Sequence, residues 1–242
     1  MPTATFITEI SLTTIFQQRF RAGTAPNNTW EATVEGSGTV QDGSTSFARV
    51  DYLNNYDGPG AYTEDRIYLS FDIGTEIPSN ATITNVKLLL YTDNNSQNVT
   101  DSDYMKSRIV KATGIFTAPN GTTTGNAHDV SVNNGSDVTV SITDDAVNEF
   151  DFGGSGDLFD YCVAQHAAGA KCAFFHMSKL TFDELVAGDG SAADPTGGNT
   201  NQFDGDTGTN PPILKVSYSI TTYPTEFNRG SVSLDKGTIE IK

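Results

Sequence analysis

Two cysteines and two histidines are spaced so that they could bind a metal ion. Cys162 and His166 are four residues apart, and so are Cys172 and His176. Structural zinc sites are tetrahedral and use these two residue types. Cys162 and His166 fall on a predicted helix, where they could share one ion. Cys172 and His176 fall on a predicted strand, where four residues span about 13 Å. We therefore favour buried cysteines and scattered histidines over a zinc site.

The same two cysteines could instead form a disulfide, because only a helix end and a turn separate them. The first residues, Met1 to Phe6, lack the charged and apolar regions of a secretory signal. Assembly is then expected in a reducing compartment, where disulfides are rare. The sequence therefore favours free thiols at Cys162 and Cys172.

Acidic residues dominate the charge of the chain, with 30 Asp and Glu against 14 Lys and Arg and a formal net charge of −16. Aspartates in loops can form Ca²⁺ sites, although Asp-Gly-rich loops are more commonly turns. The clusters are Asp101/Asp103, Asp144/Asp145, Asp189/Asp194 and Asp204/Asp206. None of them matches an EF-hand loop. We expect no cofactor, and Ca²⁺ is the one candidate ion.

Several classes of function conflict with this composition. Nucleic-acid affinity comes mainly from Lys and Arg, so an acidic chain disfavours DNA and RNA as partners, and anionic membrane surfaces likewise. The sequence contains no apolar run of about 18 residues, the length that would predict a membrane span. No Gly-x-Ser-x-Gly, phosphate-loop or His-Glu-x-x-His motif is present. We expect no enzymatic activity and no membrane insertion.

Four aromatic residues near Gly- and Asn-rich loops are candidate glycan contacts: Trp30, Tyr52, Tyr56 and Tyr62. Aromatic rings with a polar edge are suited to stacking on sugars. The competing interpretation, which we favour for Trp30, is a core or loop position.

Period-two alternation predicts an all-β fold. In residues 66–73, Ile67, Leu69, Phe71 and Ile73 share one face, which predicts a strand with one face buried. In residues 83–91, Leu89 and Tyr91 are apolar on the second face, which predicts a central strand. Further strands are predicted at 6–20, 104–112, 130–132, 138–142, 172–180 and 213–220, with two more within 29–50.

Two short helices are predicted to interrupt the strands, at 143–150 and 157–168. Thr143 is a candidate N-cap with Asp144 and Asp145 in the first turn. The second helix has apolar residues at i,i+4 spacing and a C-terminal glycine, Gly169. Residues 186–211 are rich in Gly, Asp, Asn and Thr, and we expect one long exposed loop there.

The C-terminal residues differ from the rest of the chain. We expect a main domain over residues 1–222 and a hairpin or arm over residues 223–242. Val232, Leu234, Ile239 and Ile241 alternate with polar residues as in a half-buried pair of strands. An isolated hairpin is marginal in water, so these four residues are the candidate assembly contact.

Three segments together resemble the DNRLRE-type jelly-roll modules. They are Asp65–Ile73, with an R-x-Y-L-x-F-D pattern; Ile77–Ile83, an I-P-x-x-A-x-I turn; and Val86–Tyr91, ending in L-x-L-Y. Pro211–Tyr218 is similar to the closing strand of the family. The resemblance covers roughly residues 30–220.

The resemblance implies an antiparallel two-sheet jelly-roll β-sandwich whose first and last strands lie close together. Such modules occur as carbohydrate-binding parts of secreted bacterial proteins, and similar ones occur as virion proteins of tailed phages. A stand-alone acidic chain suggests the virion version, displayed on the particle exterior as a capsid decoration, head fibre or tail component. Its expected partners are other virion proteins or copies of itself. The alternative is an extracellular carbohydrate-binding module that binds surface glycans.

Overall fold

Strands form most of the part of the chain that the structure describes. The computed structural model describes residues 3–21, 39–44, 49–56, 62–92, 96–97, 106–112, 137–143, 145–178 and 199–221. The strands are β1 (Thr3–Arg21), β2 (Thr39–Ser44), β3 (Arg49–Tyr56), β4 (Tyr62–Phe71), β5 (Thr82–Thr92), β6 (Ser96–Gln97), β7 (Lys106–Lys111), β8 (Asp137–Ser141), β9 (Ala146–Gly153), β10 (Cys172–Ser178), β11 (Asn199–Asp204) and β12 (Ile213–Thr221). The helices are α1 (Ile73–Glu76) and α2 (Asp157–Ala167).

These twelve strands form one antiparallel sheet that curls on itself. Its order is β2-β1-β12-β5-β11-β3-β4-β10-β7-β8, with β6 beside β11 and β9 beside β5. A further pairing joins β4 back to β1, the second strand of this order. The first and last described strands, β1 and β12, are direct neighbours, as the resemblance implied.

The predicted central strand is confirmed. β5 pairs with β12 on one side and with β9 on the other. Its alternating residues Val86, Leu88 and Leu90 are buried, and the corresponding residues of β12, Leu214 and Val216, are buried beside them. Each fully buried aliphatic side chain stabilises the fold by roughly 1.5–3 kcal/mol relative to an exposed one. The regular alternation of the two strands therefore places the core on one face of this part of the sheet.

The strand β4 is buried on both faces, which corrects the prediction of a single buried face. Ile67, Leu69 and Phe71 belong to the core as expected. Arg66 and Tyr68, on the other face, are also fully buried. Alternation in β4 separates two buried faces, one aliphatic and one mixed, so a polar residue on the second face does not indicate contact with solvent.

The predicted helix at 143–150 is wrong, because residues 146–150 belong to strand β9. Asp145 has a left-handed φ of 51°, which a helix does not tolerate. The Asn148 side chain accepts a hydrogen bond from Thr143 N at 2.7 Å and donates to Thr143 O at 2.9 Å, so it closes a turn. From Val147 onward exposed and buried residues alternate, with Phe150 and Phe152 in the core. Cross-sheet packing of these two rings outweighs the local capping signal.

The remaining predictions divide by region. The helix predicted at 157–168 is confirmed as α2, which ends at Ala167 before Gly169 at φ 64°. The expected loop at 186–211 is wrong over residues 199–204, which form β11. The short helix α1 was not predicted. The predicted strand at 130–132 and residues 29–38 and 45–48 lie outside the described part of the chain.

The helix α1 is held close to the end of α2 at Gly74. Gly74 N donates a hydrogen bond to Ala170 O at 3.1 Å. A Cβ atom at Gly74 would lie 2.2 Å from the backbone carbon of Gly169 and 2.4 Å from Ala170 N. Only glycine allows these two backbone segments to approach so closely.

We predict that Gly74→Ala destabilises the protein by about 2–3 kcal/mol, because backbone atoms cannot move aside as a flexible side chain can. Thermal or urea unfolding followed by circular dichroism measures this. Thr75→Ala, at the exposed neighbouring position, is the control and should change stability by less than about 0.5 kcal/mol. Equal stabilities of the two variants would contradict the close contact.

Candidate functional site

The two cysteines meet in the core. Cys162 lies on α2 and Cys172 begins β10, and both are free thiols with no exposed surface. Burial, followed by a hydrogen bond with the Cys172 thiol, raises the pKa of Cys162 well above its usual value. A hydrogen bond also joins their neighbours in the sequence, since Ala173 N donates to the Tyr161 hydroxyl at 3.0 Å. A thiol held protonated in this way is a poor nucleophile and a poor metal ligand.

The two histidines lie apart from each other and face different surroundings. His166, on α2, contacts the Pro78 carbonyl oxygen through Nε2 at 3.1 Å. His176, on β10, packs edge-to-face between Phe150 and Phe203, with ring centroids 5.8 and 5.1 Å apart. Within the described part of the chain, no three His, Cys, Asp or Glu residues are grouped as metal ligands would be. The absence of zinc stays a prediction, to be checked by elemental analysis.

Thiol labelling tests the burial of the cysteine pair. We predict that a soluble disulfide reagent labels Cys162 and Cys172 in the native protein at least about 100-fold more slowly than in the unfolded chain, because reaction requires local opening and a thiolate. Mass spectrometry of samples quenched over time measures both rates. Labelling of either thiol at the rate of the unfolded chain would contradict the packing.

Protonation of His176 opposes folding. Burial lowers its pKa from 6.5 to about 3. The unfolded chain therefore binds a proton at His176 below pH 6.5, whereas the folded protein does not bind it until about pH 3. The contribution of neutral His176 to stability is present above pH 6.5 and is lost as the pH falls.

We predict that His176→Leu flattens the pH dependence of stability between pH 7 and pH 5. Below pH 6.5 the wild-type protein should lose up to about 1.4 kcal/mol more per pH unit than the variant. Urea unfolding at a series of pH values measures both slopes, and they should coincide between pH 7 and 8, where His176 is neutral in both states. Identical slopes for the wild-type protein and the variant at pH 5–7 would show that a group other than His176 causes the pH dependence.

The described aspartates of the predicted acidic clusters serve as turn and strand contacts. Asp204 is buried and accepts hydrogen bonds from Asn210 N at 2.8 Å and Asn210 Nδ2 at 3.3 Å, so it closes the turn between β11 and β12. Asp145 accepts a hydrogen bond from the Tyr91 hydroxyl at 2.8 Å. Asp206 is exposed. The other cluster members, Asp101, Asp103, Asp144, Asp189 and Asp194, lie outside the described residues. Calcium binding stays a hypothesis.

A small charge network lies on the outer face of β5 and β9. Lys87 bonds Glu149 and lies 3.2 Å from Asp151 Oδ2. The hydrogen bond to Glu149, followed by that to Asp151, raises the pKa of Lys87. Partial burial acts to raise the pKa of Asp151, but hydrogen bonds from Gly153 N, Lys87 and Asn85 outweigh it and lower that pKa. The network joins β9 to β5 across the exposed face.

Apolar side chains are exposed where β1 begins. Phe6 is 41% exposed and Ile7 is 62% exposed. Phe6 stacks on Tyr218 of β12, with ring centroids 5.5 Å apart. The sequence analysis did not single out either residue. A signal was present, however, because adjacent residues of a strand point to opposite faces and an apolar pair must place one side chain outward.

The predicted assembly and glycan residues fall outside what the structure describes. Val232, Leu234, Ile239 and Ile241 lie beyond Thr221, the last described residue, and Trp30 lies in the segment 22–38. For Tyr52, Tyr56 and Tyr62 only the backbone is described. The register pairs Tyr56 of β3 with Tyr62 of β4, so these two residues are adjacent. Tyr52 lies four residues before Tyr56 in β3 and is paired with Asn201 of β11.

Together these features define a β-rich protein with a curled antiparallel sheet, a core of aliphatic and aromatic residues and an exposed apolar end of β1. No family model and no curated protein matches the chain. Among the residues that the structure describes, no helix has the length and apolar character needed to cross a membrane.

Proposed function

We propose that this chain is a structural protein on the exterior of a tailed-phage virion, as a capsid decoration, head fibre or tail component. It binds other virion proteins or copies of itself, and its C-terminal arm, residues 223–242, makes the contact. The single observation that carries an assembly role is the exposed apolar pair Phe6 and Ile7 where β1 begins. The strand-level resemblance supplies the virion assignment, and the formal charge of −16 favours a place away from packaged DNA.

The proposed fold within this assignment is a two-sheet jelly roll. Two observations support it. β1 and β12, the first and last strands, pair along nine residues of each strand. Phe152 of β9 and Phe174 of β10, strands that are not neighbours in the sheet, pack with ring centroids 5.2 Å apart. Contacts of this kind are expected where two layers of strands enclose one core.

The location of the exposed pair suits an assembly contact. Thr221, from which the C-terminal arm continues, is paired with Thr3, three residues before Phe6. The arm therefore leaves the domain beside the exposed apolar end. Burial of these exposed phenylalanine and isoleucine side chains in a contact stabilises it by roughly 25 cal/mol per Å² of apolar surface.

The second candidate function is a carbohydrate-binding module. The observation that favours it is the register that pairs Tyr56 with Tyr62, because residues directly opposite one another in an antiparallel pair are neighbours on the sheet. A glycan array separates the two candidates. Binding to a defined glycan that is lost in the double variant Tyr56→Ala/Tyr62→Ala favours the module, and recovery of the chain in stoichiometric amounts from purified particles favours the virion protein.

Removal of the arm tests the assembly role. We predict that deleting residues 224–242 leaves a folded, soluble domain that no longer oligomerises or joins the particle, because the deleted residues follow β12, the last strand of the described sheet. Circular dichroism, analytical ultracentrifugation and incorporation into particles measure the three properties. The matched variant keeps the length of the arm and replaces its four apolar residues by serine: Val232, Leu234, Ile239 and Ile241. A truncated protein that unfolds would place the arm in the core, and one that assembles normally would show that the contact lies elsewhere.

A further inference from the structure

The first half of β1 is a strand edge with apolar residues on both faces. Residues Thr3–Ser11 pair with β12, and within the described residues they pair with no other strand. In contrast, Gln17–Arg21 pair with β2 on one side and with β4 on the other. The unpaired side of an edge strand offers backbone N–H and C=O groups to an additional strand.

The edge is exposed on both of its faces within the described residues. Phe6 and Ile7 point to opposite faces of β1, and they keep 41% and 62% of their surface exposed. The nearby β1 residues Thr3, Thr5 and Glu9 are exposed as well. Within the described part of the chain, Phe6 and Ile7 keep this exposed surface, which a second molecule can cover.

The C-terminal arm has the charge that such a cover needs. Residues 222–242 carry Arg229, Lys236 and Lys242 against Glu226, Asp235 and Glu240, so their formal charge is zero and the whole charge of −16 belongs to residues 1–221. Two acidic domains repel one another, whereas a neutral segment can approach either of them. The arm also alternates apolar and polar residues at 231–234 and 238–241, as a strand that is covered on one face does.

The arm also begins at the right place. Thr221 lies opposite Thr3 in the register, so each copy has its arm and its β1 edge at the same end of the molecule. The nine residues 222–230 can span up to about 30 Å when extended. This length allows residues 231–242 to cross from one copy to the β1 edge of the next.

From these observations we infer that residues 231–242 of a second copy add a strand to β1 along Thr3–Ser11 and cover Phe6 and Ile7. This is a β-augmentation contact, in which main-chain hydrogen bonds supply affinity and the side chains of alternate residues supply specificity. The inference rests on the proposed assembly role and adds to it the site that receives the arm.

The test uses the full-length chain with a photo-crosslinking amino acid in place of Ile239. Copies labelled with ¹⁵N and unlabelled copies are mixed, irradiated and mapped by mass spectrometry. We expect mixed ¹⁴N/¹⁵N crosslinks between position 239 and residues 3–11. Crosslinks to this segment within single chains only, or mixed crosslinks that avoid it, would overturn the inference.

Substitutions at the edge complete the test. Ile7→Ser removes the exposed apolar group without adding charge, and it should weaken self-association measured by analytical ultracentrifugation about 10-fold or more. Val147→Ser is the matched control, because Val147 is 57% exposed on β9, away from the β1 edge. It should leave association unchanged, and both variants should unfold at the wild-type temperature.

Failure of this inference is distinguishable from failure of the proposed function. Association that is lost on deletion of residues 224–242 but unchanged by Ile7→Ser would overturn the β1 site and leave the assembly role of the arm intact. A full-length chain that stays monomeric at about 100 μM, about a hundred times a micromolar Kd, would overturn the contact between copies. Its recovery from purified particles would still support the virion role.

Discussion

The pairing of β1 with both β12 and β4 is the constraint on which the rest of the structure depends. β1 is 19 residues long, and it pairs with β12 over its first half and with β4 over its second half. The register shifts between Leu12 and Thr14, so the strand changes partner at an irregularity. Bulges of this kind bend a strand and increase its twist. Because β1 pairs with both β12 and β4, the sheet curls on itself around the core.

The core formed in this way explains why chemically reactive residue types are present without forming a reactive group. Cys162, Cys172 and His176 belong to the most buried residues of the protein, and their surroundings are thiol, carbonyl or aromatic groups. Burial raises the pKa of the Cys162 thiol and lowers the pKa of His176, which keeps the first protonated and the second neutral. In the described residues these side chains therefore contribute packing volume, and the histidine adds a dependence of stability on pH.

Alternation in the sequence was sufficient to predict the strands that lie at the centre of the sheet. β5 and β12 follow it closely, because their two faces have different environments. It failed at β9, where Thr143 to Asp145 resemble a helix start and the decisive contacts, between Phe150 or Phe152 and residues of β10, come from far along the chain. It also failed to show that the second face of β4 is buried, since Arg66 and Ser70 are polar. Local signals cannot report a partner that only the tertiary fold supplies.

The candidate site was the least predictable part. Spacing indicated that Cys162 and Cys172 could meet and that the histidines are scattered. It could not show what surrounds each histidine, because Pro78, Phe150 and Phe203 come from distant parts of the chain. The adjacent apolar residues Phe6 and Ile7 indicated that one of them would face outward, but not that both would be exposed, since apolar residues in a strand are ordinarily assigned to the core. An exposed apolar residue is visible only once the neighbours of its strand are known.

The adjacency of Thr3 and Thr221 has a mechanical consequence. In an antiparallel pair the hydrogen bonds are perpendicular to the strands, so a force that pulls the two ends apart loads the bonds of the β1–β12 pair one after another, beginning at Thr3 and Thr221. A force applied along the strands in opposite directions would load all of them at once. If a domain is attached through its C-terminal end alone, no tension passes through β1. A force on that attachment then does not separate β1 from β12. The same geometry would make a double attachment, through both ends, the weak arrangement.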